Sequence, residues 1–230
     1  MDIAADFDAR LGSGDVSLTA ADRELLTAIE EEGSLNAAAA ALDRSYAHAQ
    51  RRVVELEEAF GPLVERSRGG SGGGGSELTD TARRLLSKFD RLRAEFAGVA
   101  DAEETVLPGT VVERDGELAV VETAAGEVRA VTPPDTERVE VAVRADTVTL
   151  HGPDDAPDPG ETSARNRFAG TVTGVDRGES LVRARIDVGA DAPLVATVTT
   201  ESVGRLDLEA GDAVVASFKA TATRAVPRRD

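Results

Sequence analysis

Apolar residues recur at helical spacing through the first hundred positions and alternate with polar ones beyond Gly98. Residues 1–17 hold no sustained period and predict a flexible arm. Leu18 to Glu32 predicts a helix: Thr19 suits the N-cap, Leu25, Leu26 and Ile29 form one stripe, and Gly33 stops it. Ser34 caps a short Ala-rich helix, Leu35 to Leu42, whose small side chains admit a close neighbour. The chain turns at Asp43 and Arg44, and Ser45 caps a third helix to Phe60 with Ala49, Val53, Leu56 and Phe60 facing inward.

Three such helices fit either a helix-turn-helix or an ordinary bundle. The next segment favours the first. Leu63 to Arg66 and Glu77 to Thr79 are short strand-like runs on either side of the glycines at 69–75. The glycine run alone resembles a spacer between independent parts, but between those flanks it predicts the tip of a hairpin, the wing of a winged helix. A helix then starts at Thr79 or Asp80 and reaches Ala97, carrying Ala82, Leu85, Leu86, Phe89, Leu92 and Phe96 at spacings of three and four. That stripe exceeds what a small domain needs, so part of it is expected to pair with a second copy. Proteins of this kind usually read a double-stranded DNA operator as homodimers. In a 18–98 winged helix the DNA-facing candidates are Ser45, Tyr46, His48, Arg51 and Arg52 on the third helix, with Arg66 and Arg68 on the wing. Arg51 and Arg52 equally suit a solvated face.

After a linker at 99–108, short alternating runs predict a small barrel over 109–151, with turns at Gly116, Gly126 and Pro133-Pro134. A second linker, 152–161, is rich in Pro, Asp and Gly. Longer strands follow in 162–227, at Arg167 to Val175, Leu181 to Val188, Leu194 to Thr199 and Ala213 to Ala220. The fold class is therefore α+β and multidomain: a winged helix-turn-helix with a long dimerisation helix, then two small OB-like β-barrels.

Composition narrows the chemistry. With no Cys and only His48 and His151 there is neither a disulfide framework nor a thiolate or His-based metal cage. No apolar run approaches a membrane span, and the acidic start is unlike a signal peptide, which predicts a cytoplasmic protein. The net charge of −17 opposes indiscriminate nucleic-acid binding. Yet from Arg44 to Arg93 ten basic residues stand against seven acidic ones, a basic stretch inside an acidic chain. Lys88 and Lys219 are the only lysines among 26 basic residues, the pattern of a salt-adapted, halophilic proteome. Gly75 is followed by Ser76 and Glu77, so the glycine run is no phosphate-binding nucleotide loop. No nucleophile–base pairing or metal-ligand spacing suggests an enzyme.

Two resemblances then become specific. Gly33-Ser34, Leu63-Val64-Glu65-Arg66, the glycines at 69–75 and Leu78-Thr79 before a long helix resemble the DNA-binding domain of the ModE family of molybdate-responsive regulators, itself similar to the LysR-type winged helix. Thr162-Ser163-Ala164-Arg165-Asn166, Val198-Thr199 with Ser202, Gly211 and Lys219-Ala220 resemble the TOBE or Mop domain, which binds molybdate or tungstate. The resemblance implies an oxyanion site built from Ser163, Ala164, Arg165, Thr199, Ser202, Lys219 and Ala220, its two halves coming from different barrels. These residue types suit a tetrahedral dianion, whose oxygens only accept hydrogen bonds. Aligning Gly109 with Gly170 sets Arg144-Ala145 against Lys219-Ala220, Thr132 against Thr199, Ala102 against Ser163 and Glu104 against Arg165. The first barrel thus reads as a degenerate copy. The function implied is a transcription regulator sensing molybdate or tungstate. The alternative is a cytoplasmic oxyanion-storage protein whose helical domain serves only dimerisation.

Overall fold

The computed structural model describes residues 8–67, 75–100, 102–158 and 160–229. The chain forms two compact units, Met1–Asp101 and Ala102–Asp230.

The first unit opens with a hairpin, β1 (Leu11–Ser13) and β2 (Val16–Leu18), turning through Gly14 at φ 58°. The expected arm at 1–17 is therefore corrected for residues 11–17. Leu11 and Val16 pack on the helical core, Leu18 is fully buried, and the Ser13 hydroxyl donates to the Ala59 carbonyl at 2.8 Å. Two or three apolar residues are too few to show a period, and tertiary contacts decide the outcome.

Helix α1 (Ala20–Glu32) ends at Gly33, whose φ of 67° closes it in the left-handed region that favours glycine. The Ser34 and Ser45 hydroxyls accept from the third amide of α2 (Leu35–Ala41) and α3 (Tyr46–Phe60), as N-caps should. Leu25, Leu26, Ile29, Val53, Leu56 and Leu63 are essentially inaccessible and form the centre of the core. The wing strands β3 (Val64–Ser67) and β4 (Gly75–Leu78) pair antiparallel, Val64 opposite Leu78. One Glu57 carboxylate oxygen accepts from both Leu63 and Val64 amides at 2.9 Å, tying the wing to the end of α3. The tip, residues 68–74, lies outside the described residues.

Thr79 starts α4 (Asp80–Ala100), its hydroxyl accepting from Ala82 and donating to the Pro62 carbonyl. Ala82, Leu86 and Phe89 are buried, Leu85 and Leu92 half-buried, and Phe96 is 48% exposed. Two ion pairs hold α4 along α1, Arg23 with Asp90 and Arg83 with Glu30. Among the described residues no helix is long and apolar enough to cross a membrane.

The second unit carries an internal repeat. The first half is β5 (Glu104–Asp115), β6 (Leu118–Thr123), β7 (Gly126–Val131), β8 (Arg138–Arg144), a 3₁₀ turn (Ala145–Thr147) and β9 (Thr149–His151). The second half is β10 (Asn166–Arg177), β11 (Leu181–Asp187), β12 (Leu194–Thr199), α5 (Thr200–Leu206), β13 (Ala213–Phe218), a 3₁₀ turn (Ala220–Ala222) and β14 (Arg224–Pro227). The expected linker at 99–108 contracts, because β5 already begins at Glu104 with Thr105 and Leu107 turned inward. Up to Pro108 this strand pairs with β8 alone, where a residue lacking an N–H is tolerated.

The halves exchange their last strands. β14 closes the first barrel, in the order β14-β7-β6-β5-β8, and β9 joins the second sheet, β12-β11-β10-β13-β9. Residues 109–151 and 162–227 are thus not two self-contained barrels. One core runs through both, Val121, Val141 and Val143 clustering with Val182, Ile186 and Phe218. Gly109 and Gly170 occupy equivalent bulged strands, and a Cβ on either would lie 2.6 Å from the Glu122 carbonyl oxygen or 2.5 Å from that of Asp187. Only glycine allows the neighbouring strand so close.

Candidate functional site

The strand exchange builds the candidate pocket. β9 lies against β13, with His151 opposite Val215 and Thr149 opposite Ser217. The segment 162–165 leads into β10, and Lys219-Ala220 leaves β13 into its 3₁₀ turn. Ser163, Ala164 and Lys219 line one cavity of about 390 Å³ together with Thr149, His151 and Ser217. An adjoining, more enclosed cavity of about 150 Å³ shares His151, Thr162, Ala164 and Ser217 and adds Arg165, Arg167 and Glu127.

Several of the expected donors have partners. One Arg165 nitrogen donates to the Thr162 carbonyl at 2.8 Å, and the Ala164 amide donates to Thr162 Oγ1 at 3.2 Å. The Ala164 amide is therefore already engaged by Thr162, which forms a local turn with it and lines both cavities. Ala220 is buried at the first position of its turn. Asn166, 1% exposed, has a different task. Its Oδ1 accepts from the Arg129 amide at 2.7 Å and its Nδ2 donates to the Arg129 carbonyl at 2.9 Å, continuing a ladder between the repeats. The register makes Thr105 its counterpart, and Thr105 Oγ1 accepts from the Val195 amide at 3.0 Å.

Thr199 and Ser202 stand apart from these cavities. Thr199 is the N-cap of α5, its Oγ1 2.9 Å from the Ser202 hydroxyl and accepting from the Ser202 amide at 3.1 Å. Thr199 is exposed and Ser202 half-buried, and they line neither cavity. Within one chain, then, Ser163, Ala164 and Lys219 converge, while Thr199 and Ser202 form a second, separate group.

The first repeat carries different residues at these places. Arg144, in the place of Lys219, is held by the Asp146 carboxylate, with Nε at 3.1 Å from Oδ1. Glu104 replaces Arg165, and Glu103 reaches Arg183 at 3.4 Å. The ladders pair Leu118 with Val131 and Arg183 with Thr197, which sets Thr132 against Val198. The expected match of Thr132 with Thr199 is off by one, and Thr132 is buried with its hydroxyl on the Ala130 carbonyl. His151 and Ser217 are the pocket residues that the motif-based reading missed. The repeat itself held the signal, since β9 and β14 are equivalent and differ there.

In the first unit Ser45, Tyr46, His48 and Arg51 are exposed on the first two turns of α3, and Arg66 is exposed on β3. Arg68 lies outside the described residues. Arg52 is corrected. Its guanidinium donates to both Asp22 oxygens at 2.7 Å and to the Ser17 carbonyl at 2.7 Å, and pairs with Glu55. Part-buried, it is engaged within the domain rather than presented to solvent as Arg51 is. Burial alone would raise the Asp22 carboxyl, but hydrogen bonds from Arg52 and from the amide and hydroxyl of Thr19 outweigh it and hold it below its ordinary value.

Two segments of the chain match known domains: the bacterial regulatory helix-turn-helix of the LysR family at 20–83 and the TOBE domain at 162–225. The fold and site thus define a helix-turn-helix protein fused to tandem TOBE-type barrels. Over most of its length, across both domains, the chain is similar to ModE proteins. It is 31% identical to the molybdenum transport protein ModE of Azotobacter vinelandii over 86% of this chain and 61% of that protein. With its namesake from Herbaspirillum seropedicae the figures are 29%, 86% and 60%. The molybdenum-pterin-binding protein MopB of Rhodobacter capsulatus is 27% identical over 86% of this chain and 85% of its own length. The chain spans about three fifths of the two ModE relatives.

Proposed function

We propose that this protein is a cytoplasmic, homodimeric transcription regulator that binds a double-stranded DNA operator and senses molybdate or tungstate at its C-terminal barrel. The observation that carries the reading is the cavity where Ser163 and Lys219 converge, on a chain that also presents Tyr46, His48 and Arg51 of α3 and Arg66 of the wing to solvent. A tetrahedral dianion needs hydroxyl donors and a fixed cation, and these residues supply one half of that set. Thr199 and Ser202 supply the other half from a second copy, so the ligand joins two chains. Such a ligand favours one dimer geometry, and by linkage DNA and oxyanion alter each other's affinity by the same factor.

Calorimetric titration with molybdate, tungstate and sulfate tests this. Lys219→Ala and Thr199→Ala should each weaken molybdate binding by about tenfold to a hundredfold, the loss of a hydrogen bond to a charged group. A mixture of the two variants should regain tight sites, since one interface of the mixed dimer keeps both intact halves. Absence of heat with either heavy oxyanion would overturn the sensing function. The net charge of −17 favours a second reading, oxyanion storage without DNA binding. Footprinting at high salt separates the two, because a regulator protects one palindromic site and a storage protein protects none.

A further inference from the structure

We propose that His151, through Ser217, is a binding residue of the oxyanion site and couples anion uptake to the uptake of a proton. The inference rests on the oxyanion reading above and adds a residue that neither the motif nor the domain matches assign. His151 lies outside the TOBE match at 162–225 and reaches the pocket only because β9 crosses from the first repeat into the second sheet. Its Nε2 is 2.8 Å from Ser217 Oγ. Both residues line both adjoining cavities, the one with Ser163 and Lys219 and the one with Arg165.

The internal repeat provides a control within the molecule. β13 pairs with β9 as β8 pairs with β14, Val215 opposite His151 as Glu140 is opposite Val226, and Ser217 opposite Thr149 as Ala142 is opposite Arg224. At the places of His151 and Ser217 the degenerate half therefore has Val226 and Ala142. That half also has Glu104 in place of Arg165, and its Arg144 is occupied by Asp146. A pair needed only to hold two strands together would suit both halves. Instead imidazole and hydroxyl occur only beside the half that carries Lys219 and Arg165.

The chemistry follows from the donor inventory. When Nε2 carries no hydrogen it accepts from the Ser217 hydroxyl, and that hydrogen is unavailable to a ligand. As an imidazolium, His151 donates from Nε2 to Ser217 Oγ, and the hydroxyl hydrogen turns to another acceptor. An oxyanion in the cavity is such an acceptor. Protonation thus adds a positive charge and directs one hydroxyl donor towards the ligand. The charged groups that line the two cavities with the imidazole are Lys219 after β13, Arg165 and Arg167 at the start of β10 and Glu127 on β7; Asp155, in the turn after β9, has its carboxylate beside Gly152. A dianion added to this set favours the imidazolium, so affinity falls as pH rises and binding takes up a proton.

Titration of the full chain with molybdate, in buffers of different ionisation enthalpy at about pH 6 and about pH 8, tests the inference. Wild type should lose about tenfold in affinity across that range, with a buffer-dependent heat that reports proton uptake. His151→Gln keeps a hydrogen-bonding side chain but cannot titrate. It should bind at the wild-type high-pH level with no pH slope and no buffer dependence, and an unchanged circular dichroism spectrum. If the slope and proton uptake persist in His151→Gln, they belong to other groups and the inference is overturned. A wild type that binds molybdate without either effect overturns it alone, whereas a wild type that binds no molybdate overturns the sensing function with it.

Discussion

Arg51 and Arg52 are neighbours in sequence, yet one helical step of about 100° sends their side chains to different surroundings. Arg51 stays exposed on the outer face of α3, while Arg52 turns back to Asp22, Ser17 and Glu55. The Asp22 side chain is only 6% exposed and that of Arg52 24%, so removing one partner leaves the other poorly solvated. Asp22→Ala should destabilise the first unit by about 2–4 kcal/mol, less than a fully buried pair because Arg52 retains some water and Glu55. Because the folded Asp22 carboxyl titrates below its ordinary value near 3.8, its contribution is complete above that value and is lost as pH falls through the folded one. Urea melts followed by far-ultraviolet circular dichroism should therefore show wild type and Asp22→Ala converging at low pH. A gap that persists there would assign the effect to packing. The Asp22–Arg52 partnership could not be read from the sequence, since thirty positions separate the two and Arg52 lies beside an arginine that does face solvent.

At the level of elements, what was legible depended on length and period. Helices α1 and α3 and the strands β10 and β12 have enough apolar positions to show their spacing, and caps at Ser34 and Ser45 mark where helices begin. Helix α5 has only seven residues, Gly204 among them, and Val203 is its one buried side chain, so it left no pattern. The strand exchange is harder still, because Thr149–His151 and Arg224–Pro227 read as edge strands whichever sheet they join. Their partners are chosen by the shared core, where Leu150 and Ala225 are both buried. The exchange has an unusual consequence for truncation. Removing residues 224–230 from the end of the chain should open the first barrel rather than the last. Hydrogen exchange should rise on β7 and β8, which flank β14, while β10 to β12 keep their protection. Loss of protection confined to β10–β13 would contradict the exchanged topology. The same exchange explains why the candidate site was only partly legible: the motif named Ser163 and Lys219, but His151 joins their cavity through a strand pairing that no local pattern encodes.

Across the whole molecule the dominant fact is a net charge of −17 on 230 residues with only 3% aromatic content. The cores are built mainly from Val, Ala and Leu, so each buried side chain removes less apolar surface from water than an aromatic one would. Folding concentrates the carboxylates that an extended chain keeps apart, and that self-repulsion acts against the folded state. Ion pairs such as Arg23–Asp90 and Arg185–Asp176 offset part of it, but they are surface pairs worth little each. Salt acts on the two terms unequally. Raising the ionic strength from about 0.1 M to about 1 M shortens the screening length from roughly 10 Å to roughly 3 Å, which removes the summed long-range repulsion while touching pairs in contact much less. The thermal midpoint of each unit should therefore rise in molar potassium chloride. The rise should be smaller in a variant with several of its exposed carboxylates replaced by neutral amides, since that variant has less repulsion to screen. Chloride is the appropriate salt, because sulfate strengthens apolar burial in any protein and would raise the midpoint without any contribution from charge. A midpoint that stays level, or an equal rise in the amide variant, would show that the acidic surface is no burden on folding and that the arginine-rich, lysine-poor composition needs another cause.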